Sequence, residues 1–257
     1  MGALLAIGAV ILLMMIGVPV VFSFAAMTLV LSLAYDVDIS SLMTTGFWSI
    51  NSLILLALPL FIMTGYLMQS GGIAARLIRF AEAIVGKSRS GMGTTMVVSC
   101  GVFGAISGTA SAAVASIGTI MIGPMEKHGY SRPYSTALVG ISSLLGLLIP
   151  PSITMILYAV VTRQSVAAVF LATIGPGILL MILLCIINAI KTRKYPGPTT
   201  ETLTLSNRFK HIGSTGWKAM PALMLPVIIL GGIYGGIFTP TEAVSYTHLT
   251  LPTIYSV

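Results

Sequence analysis

The run from Gly93 to Gly123 carries no charge over 31 residues. Its centre, GAISGTASAAVASIG (104–118), is Gly, Ala, Ser or Thr at 12 of 15 positions. A stretch this small and this uncharged suits the interior of a membrane protein, where small side chains let backbones approach closely. The remaining sequence agrees. The chain of 257 residues is 56% hydrophobic and only 7% charged, against about 25% charged in ordinary globular chains. Several apolar runs approach the roughly 20 residues needed to cross a bilayer. The fold class is therefore all-α integral membrane. No separate signal peptide is needed, because the first apolar segment can direct insertion and its short N-terminus lacks a basic n-region.

The net charge of +7 does not indicate nucleic acid. The basic residues sit in short connectors between apolar runs, where charge orients the chain in the bilayer. Cys100 and Cys185 lie in apolar surroundings without metal-ligand spacing and read as small core residues.

Breaks in the apolar pattern divide the chain. Residues 1–70 read as scaffold-type transmembrane helices. Within them Ala3–Tyr35 is interrupted at Gly17-Val18-Pro19. One helix of that length would measure about 50 Å, longer than a bilayer needs, so two short spans are expected. Asp36 and Asp38 then open a polar connector. Residues 71–91 read as an amphipathic helix along the membrane surface, with Ile73, Leu77, Phe80 and Ile84 on the apolar side of Arg76, Arg79 and Glu82. Residues 92–165 form a transport-type region, with a re-entrant hairpin at 93–123 and a broken helix at 134–162. Residues 166–191 read as one transmembrane helix, 192–216 as a cytoplasmic loop, and 217–243 as a further span and turn.

Charge supports the hairpin. If 93–123 enters and returns on one side, the connectors 71–90, 124–133 and 191–218 share a face and hold 12 of the 13 Lys and Arg. Only Arg163 lies opposite, with Asp36 and Asp38. The rich side is then cytoplasmic, and the N-terminus lies outside. A full crossing would destroy this bias.

Non-helical backbone at membrane depth survives only where protein or water covers it. A hairpin tip needs glycine for the turn, and Ser107-Gly108-Thr109 occupies the middle of the segment. Pro150 and Pro151 remove two backbone donors, Ser152 adds a hydroxyl, and Gly146 adds freedom. Helices broken in this way expose the carbonyls and N–H groups that transporters use for ions and anionic groups. Gly104-x-x-x-Gly108 and Gly232-x-x-x-Gly236 also fit plain helix packing. No Asp, Glu, Lys, Arg or His lies in the expected membrane core. This favours Na⁺, which accepts carbonyl and hydroxyl oxygens, over a proton relay built on an ionisable group.

Four segments carry a family resemblance: LPLFIMTGYLMQSGGIAARLIRFAEAIVG, GVFGAISGTASAAVASIGTIMIGPMEKHGYSRPYSTAL, GLLIPPSITMILYAVVT and GGIYGGIFTPTEA. On these the chain resembles the large membrane subunit of tripartite ATP-independent periplasmic (TRAP) transporters, the DctM-like family. The resemblance implies an elevator-type transporter with inverted repeats in the bacterial inner membrane. It implies Na⁺-coupled import of organic acids such as dicarboxylates or sialic acid-like carboxylates. A soluble periplasmic binding protein would deliver the substrate, and a small four-helix membrane subunit would be the partner. No cofactor is expected besides the coupling ion. By the same resemblance, ion and substrate sites fall on Ser107, Gly108, Thr109 and Ser111 on one side and on Gly146, Pro150, Pro151 and Ser152 on the other.

Members of that family are longer and contain a second hairpin and second broken helix. The chain is therefore expected to be half of such a machine, truncated after the first repeat and the start of the second. LGGIYGGIFTPTEA echoes MMIGVPVVFSFA as a span, a Pro break and a new apolar run. The tail VSYTHLTLPTIYSV (244–257) lacks the expected apolar character and reads as an artefactual terminus. Two other functions are weaker. An intramembrane enzyme using Ser107 or Ser111 would lack a base, since His128, His211 and His248 lie in connectors or the tail. A purely structural scaffold would not need a polar break opposite a polar hairpin.

The topology is testable. In a background lacking Cys100 and Cys185, single cysteines at Ser88, Ser131 and Ser206 should be shielded from an impermeant thiol reagent added to intact cells. A cysteine at Gln164 should react. Labelling at Ser131 but not at Ser88 would show that 93–123 crosses the membrane.

Overall fold

A computed structural model describes residues 2–35, 38–51, 53–85, 90–194, 205–239 and 242. Every regular element among the described residues is helical. The chain divides into two compact units, Met1–Ser52 and Leu53–Val257.

The first unit holds α1 (Gly2–Met15), α2 (Val20–Tyr35) and α3 (Ile39–Ile50). The apolar stretch at its start is thus two helices, packed against one another. Gly17 ends α1 at φ +93°, a conformation that costs glycine little. Its N–H donates to the Met14 carbonyl at 3.0 Å, and Val18 N–H donates to Leu13 at 3.1 Å. Two such bonds satisfy the last carbonyls of a helix, and Pro19 prevents its continuation. Asp38 caps α3 by accepting from Ser40 N–H at 3.2 Å. Asp36 lies outside the described residues.

The second unit contains α4 (Leu53–Ser70), α5 (Ile73–Val85) and α6 (Gly91–Ser107). Then come α7 (Ala110–Ala113), a π turn at Val114–Gly118 and α8 (Thr119–Lys127). The broken element is α9 (Arg132–Ser142), α10 (Leu145–Leu148) and α11 (Ile153–Thr162). The long helices α12 (Val166–Lys191) and α13 (Leu205–Tyr234) follow.

Helix α6 is the hub. Met96, Val97, Cys100, Phe103 and Ile106 are all fully buried, so it is covered all round. α4, α5, α9, α10, α12 and α13 each pack against it. The apolar face of α5 is buried at Ile73, Ala74, Leu77, Ile78 and Ala81, and α6 and α13 cover it. This corrects the sequence expectation at Ile84. Protein packs against that face, and Ile84 falls outside the stripe, 45% exposed.

Only α12, among the described residues, is long and apolar enough to cross a membrane as one helix. The halves Arg132–Leu148 and Ile153–Thr162 are bent by 45° at the double proline. The loop expected over 192–216 is also corrected. Thr192–Lys194 is one 3₁₀ turn, and α13 already begins at Leu205. A helix of 30 residues spans about 45 Å, so its polar first turns extend past the apolar part without leaving the helix.

The end of α13 repeats the end of α1. Gly236 has φ +67°, its N–H donates to Ile233 at 3.2 Å, and Ile237 N–H donates to Gly232 at 2.9 Å. Thr239 and Glu242 then bond reciprocally. Glu242 Oε2 accepts from Thr239 N–H at 2.8 Å, and Thr239 Oγ1 accepts from Glu242 N–H at 3.3 Å. This is a helix-opening capping box. The Thr239 backbone bond, with its hydroxyl, holds the Glu242 carboxyl below the usual carboxylate range. The tail 244–257 lies outside the described residues.

One glycine pair sets the packing of the hub. A Cβ on Gly104 would run into the Cα of Gly146 and sit 2.7 Å from its nitrogen. Nothing lies within 4 Å of where a Cβ would stand on Gly140. Gly104→Ala should therefore cost about 1–3 kcal/mol through overpacking. Gly140→Ala should be neutral or stabilising by up to about 1 kcal/mol. Thermal unfolding of the two purified variants in detergent checks the contrast.

Candidate functional site

Helix α6 ends where its sequence runs out of bulk. Gly108 takes φ +65°, and its N–H donates back to Gly104 at 2.7 Å. Thr109 is extended, and its hydroxyl caps α7 by accepting from Ala112 N–H at 3.4 Å. The chain then returns alongside α6 through the π turn and α8. Ser90 and Thr94, at the start of α6, and Tyr134, at the start of α9, all bond to Asn188 of α12. The segment between them therefore begins and ends at one level of the molecule, which is the geometry of a hairpin with its tip at 107–109.

That tip meets the broken helix. Pro150 and Pro151 cannot donate to the carbonyls of Gly146 and Leu147, and the Pro150–Pro151 peptide is cis. The freed N–H of Ile153 donates to the Gly108 carbonyl at 3.2 Å. A Cβ on Gly108 would stand 3.1 Å from the Pro151 carbonyl oxygen. A Cβ on Gly146 would stand 3.0 Å from both Gly104 Cα and the Thr109 oxygen. Backbone thus touches backbone at three points, which only glycine allows. Helix C-termini (α6 and α10) and N-termini (α7 and α11) converge there, with carbonyl oxygens and N–H groups in place of charged side chains.

Two hydroxyls complete the lining. Ser107 is 1% exposed, and its Oγ donates to the Thr109 carbonyl at 3.4 Å. Ser152 is fully buried at the N-cap of α11, yet its Oγ has no hydrogen-bond partner among the described residues. Thr95, Ser99, Ser116 and Ser142 also lack partners. Those four sit within helical segments, where rotation about χ1 can return the hydroxyl to a carbonyl one turn back. Ser152 has no helical turn behind it to which its hydroxyl could return. No cluster of three His, Cys, Asp or Glu able to hold a metal occurs among the described residues. The donor set is oxygen only.

The family model for the tripartite ATP-independent periplasmic transporter, DctM component, matches residues 7–256. The chain belongs to that family. It is 40% identical over 232 residues to the C4-dicarboxylate TRAP transporter large permease protein DctM of Vibrio cholerae, covering 90% of this chain and 50% of that protein. It is 39% identical over 189 residues to the ectoine TRAP transporter large permease protein TeaC of Halomonas elongata, covering 74% of this chain and 43% of that one. It is 32% identical over 259 residues to the sialic acid TRAP transporter permease protein SiaT of Haemophilus influenzae, covering 95% and 41%. This DctM-family chain spans about half the length of the curated relatives it matches. Those relatives are transporter permease subunits and not enzymes, which removes the intramembrane-enzyme alternative.

Within this DctM component, the structure gathers Ser107, Gly108, Thr109, Gly146, Pro150, Pro151 and Ser152 at the tip and break. Ser111 differs: it is exposed on α7. Sequence reasoning missed two neighbours. A Cβ on Gly65 of α4 would contact Ser107 backbone at 3.4 Å, and one on Gly177 of α12 would meet Ile149 Cγ1 at 3.1 Å. The GPG at 175–177 and the lone glycine in TGY (64–66) were the available signals.

The hydroxyls should separate in thermal unfolding without Na⁺. Ser152→Ala removes an unpaired buried group and should leave stability unchanged or raise it by up to about 1–3 kcal/mol. Thr109→Ala removes a cap and should lower it by about 0.5–2 kcal/mol.

Proposed function

We propose that this chain is the permease part of a binding-protein-dependent secondary transporter in the bacterial inner membrane, importing organic acids with Na⁺. The observation that carries the reading is the seat of the hairpin tip on the double-proline break. Both sides present backbone oxygens and hydroxyls, in segments without any Asp, Glu, Lys, Arg or His from Gly91 to Met125 and from Pro133 to Thr162. Such a site suits a hard monovalent cation and gives a proton nowhere to rest.

The residues fit the ion on one further count. Ser152 Oγ is buried without a partner, and burying a hydroxyl unpaired costs free energy that an ion ligand would recover. Ser107, Thr109 and Ser152 are the side-chain candidates for holding Na⁺, with Pro151 and Thr109 carbonyls beside them. The helix N-termini at Thr109 and Ser152 favour an anionic group nearby, so a carboxylate substrate and its coupling ion share one region. The substrate class rests on the relatives named for C4-dicarboxylate and sialic acid transport. A soluble periplasmic binding protein and a small membrane subunit complete the assembly, and the hairpin with its broken helix moves as the elevator.

The test is uptake into proteoliposomes by the full-length protein, assembled with its small subunit and binding protein, at varied Na⁺ and fixed pH. Gly108→Val should abolish uptake while leaving membrane insertion intact, because a Cβ there meets Pro151 and a positive φ. Ser107→Ala should raise the Na⁺ half-saturation about 5- to 150-fold if its hydroxyl binds the ion. Uptake that follows a proton gradient and ignores Na⁺ would overturn the ion assignment.

A further inference from the structure

One thoroughly bonded polar side chain of the second unit lies far from the hairpin tip. Asn188, near the end of α12, is fully buried. Its Nδ2 donates to the Ser90 carbonyl at 2.9 Å and to Thr94 Oγ1 at 3.1 Å. Its Oδ1 accepts from the Tyr134 hydroxyl at 3.1 Å. Both amide hydrogens are therefore used. Three elements distant in sequence are joined: the start of α6, the first turn of α9 and the last turns of α12. Gly93 lies directly beneath, since a Cβ there would collide with the Asn188 amide. The backbone carbonyl of Asn188 accepts from the buried Thr192 hydroxyl at 2.6 Å, which ties down the helix end that presents the amide.

Helix α6 is thus held at both ends. At its base, Thr94 and Ser90 bond to Asn188. Fourteen residues beyond Thr94, roughly 20 Å along the axis, Gly108 bonds to Ile153. Between these points, apart from the Gly104–Gly146 backbone contact, the side chains that bury α6 are largely apolar, and apolar contacts resist sliding poorly where lipid is as good a partner as leucine. A directional, fully paired polar group is what specifies register in such surroundings.

We propose that Asn188 is a positioning residue: it clasps α6, α9 and α12 into one body and so fixes the height of the hairpin tip against the Ile149–Ser152 break. Its consequence for transport rests on the function proposed above, whereas its effect on the tip does not.

The experiment uses the full-length protein and two readouts. The first is hydrogen exchange in the peptide carrying Ile153, whose N–H is bonded to the tip. The second is Na⁺-dependent uptake, resolved into half-saturation and maximal rate. Asn188→Ala should speed exchange at Ile153 at least about fivefold and raise the Na⁺ half-saturation by about 5- to 150-fold. Gly93→Ala, which pushes the amide aside, should do the same. The double variant should be no worse than Asn188→Ala alone, because the colliding amide is gone. If Asn188→Ala does not fold, Gly93→Ala and Tyr134→Phe carry the test with the same expected direction. Unchanged Ile153 exchange, with only stability and maximal rate reduced, would overturn the proposal. So would a Gly93→Ala effect that adds in full to that of Asn188→Ala. Faster Ile153 exchange in Asn188→Ala, with parent uptake that ignores Na⁺, would support the clasp while sinking the ion reading.

Discussion

Everything in the second unit depends on how closely α6 can approach the broken helix. The contact between Gly104 and Gly146 is backbone against backbone, with no room for a methyl on Gly104. It brings the tip of one interrupted segment within hydrogen-bonding distance of the interruption in the other. Without it, the Ile153 N–H and the Gly108 carbonyl would each face apolar surroundings unpaired, at a cost of about 1–3 kcal/mol per group. The glycines thus serve two purposes. They permit the approach, and through it they satisfy the polar backbone that the proline break exposes.

The physics of lipid explains why small residues and a few polar groups dominate. Moving Phe103 or Leu77 from hydrocarbon into protein yields almost no hydrophobic gain, unlike the same burial from water. Close packing and hydrogen bonds must then set the arrangement. Glycines at 65, 93, 101, 104, 146 and 177 provide flat seats for neighbouring groups. The Asn188 amide supplies direction at the opposite end of α6. A site built from backbone breaks also escapes the cost of placing a charge in hydrocarbon, which accounts for the absence of ionisable residues around it.

The matching helix ends at Gly17 and Gly236 have a comparable origin. In each, a glycine with positive φ closes the last turn through the same pair of backbone bonds, and a proline follows within a few residues. The echo between the start of the chain and residues 230–243 is therefore geometric as well as textual at its glycine turn.

The sequence by itself determined the class and the punctuation. Apolar runs with 7% charge permit only a helical membrane protein here, since every backbone group in lipid must be paired internally. Gly108 and Pro150-Pro151 mark their breaks unaided, because positive φ and missing donors are local properties of one or two residues. Tertiary structure alone decided what those breaks meet. Ser111 lies as close to the tip in sequence as Ser107 does on the other side, yet the helical turn of α7 carries it to the exposed face. Gly65 and Gly177 join the site only because α4 and α12 happen to pack there. The Arg- and Lys-bearing start of α13 reads as loop because its polar composition is legible, whereas the helix that runs through it from Leu205 is not. Asn188 is one amide in an apolar run, and no local pattern announces that Ser90, Thr94 and Tyr134 will fold onto it. Such partners lie 54 to 98 residues away, and only the folded arrangement of α6, α9 and α12 selects them.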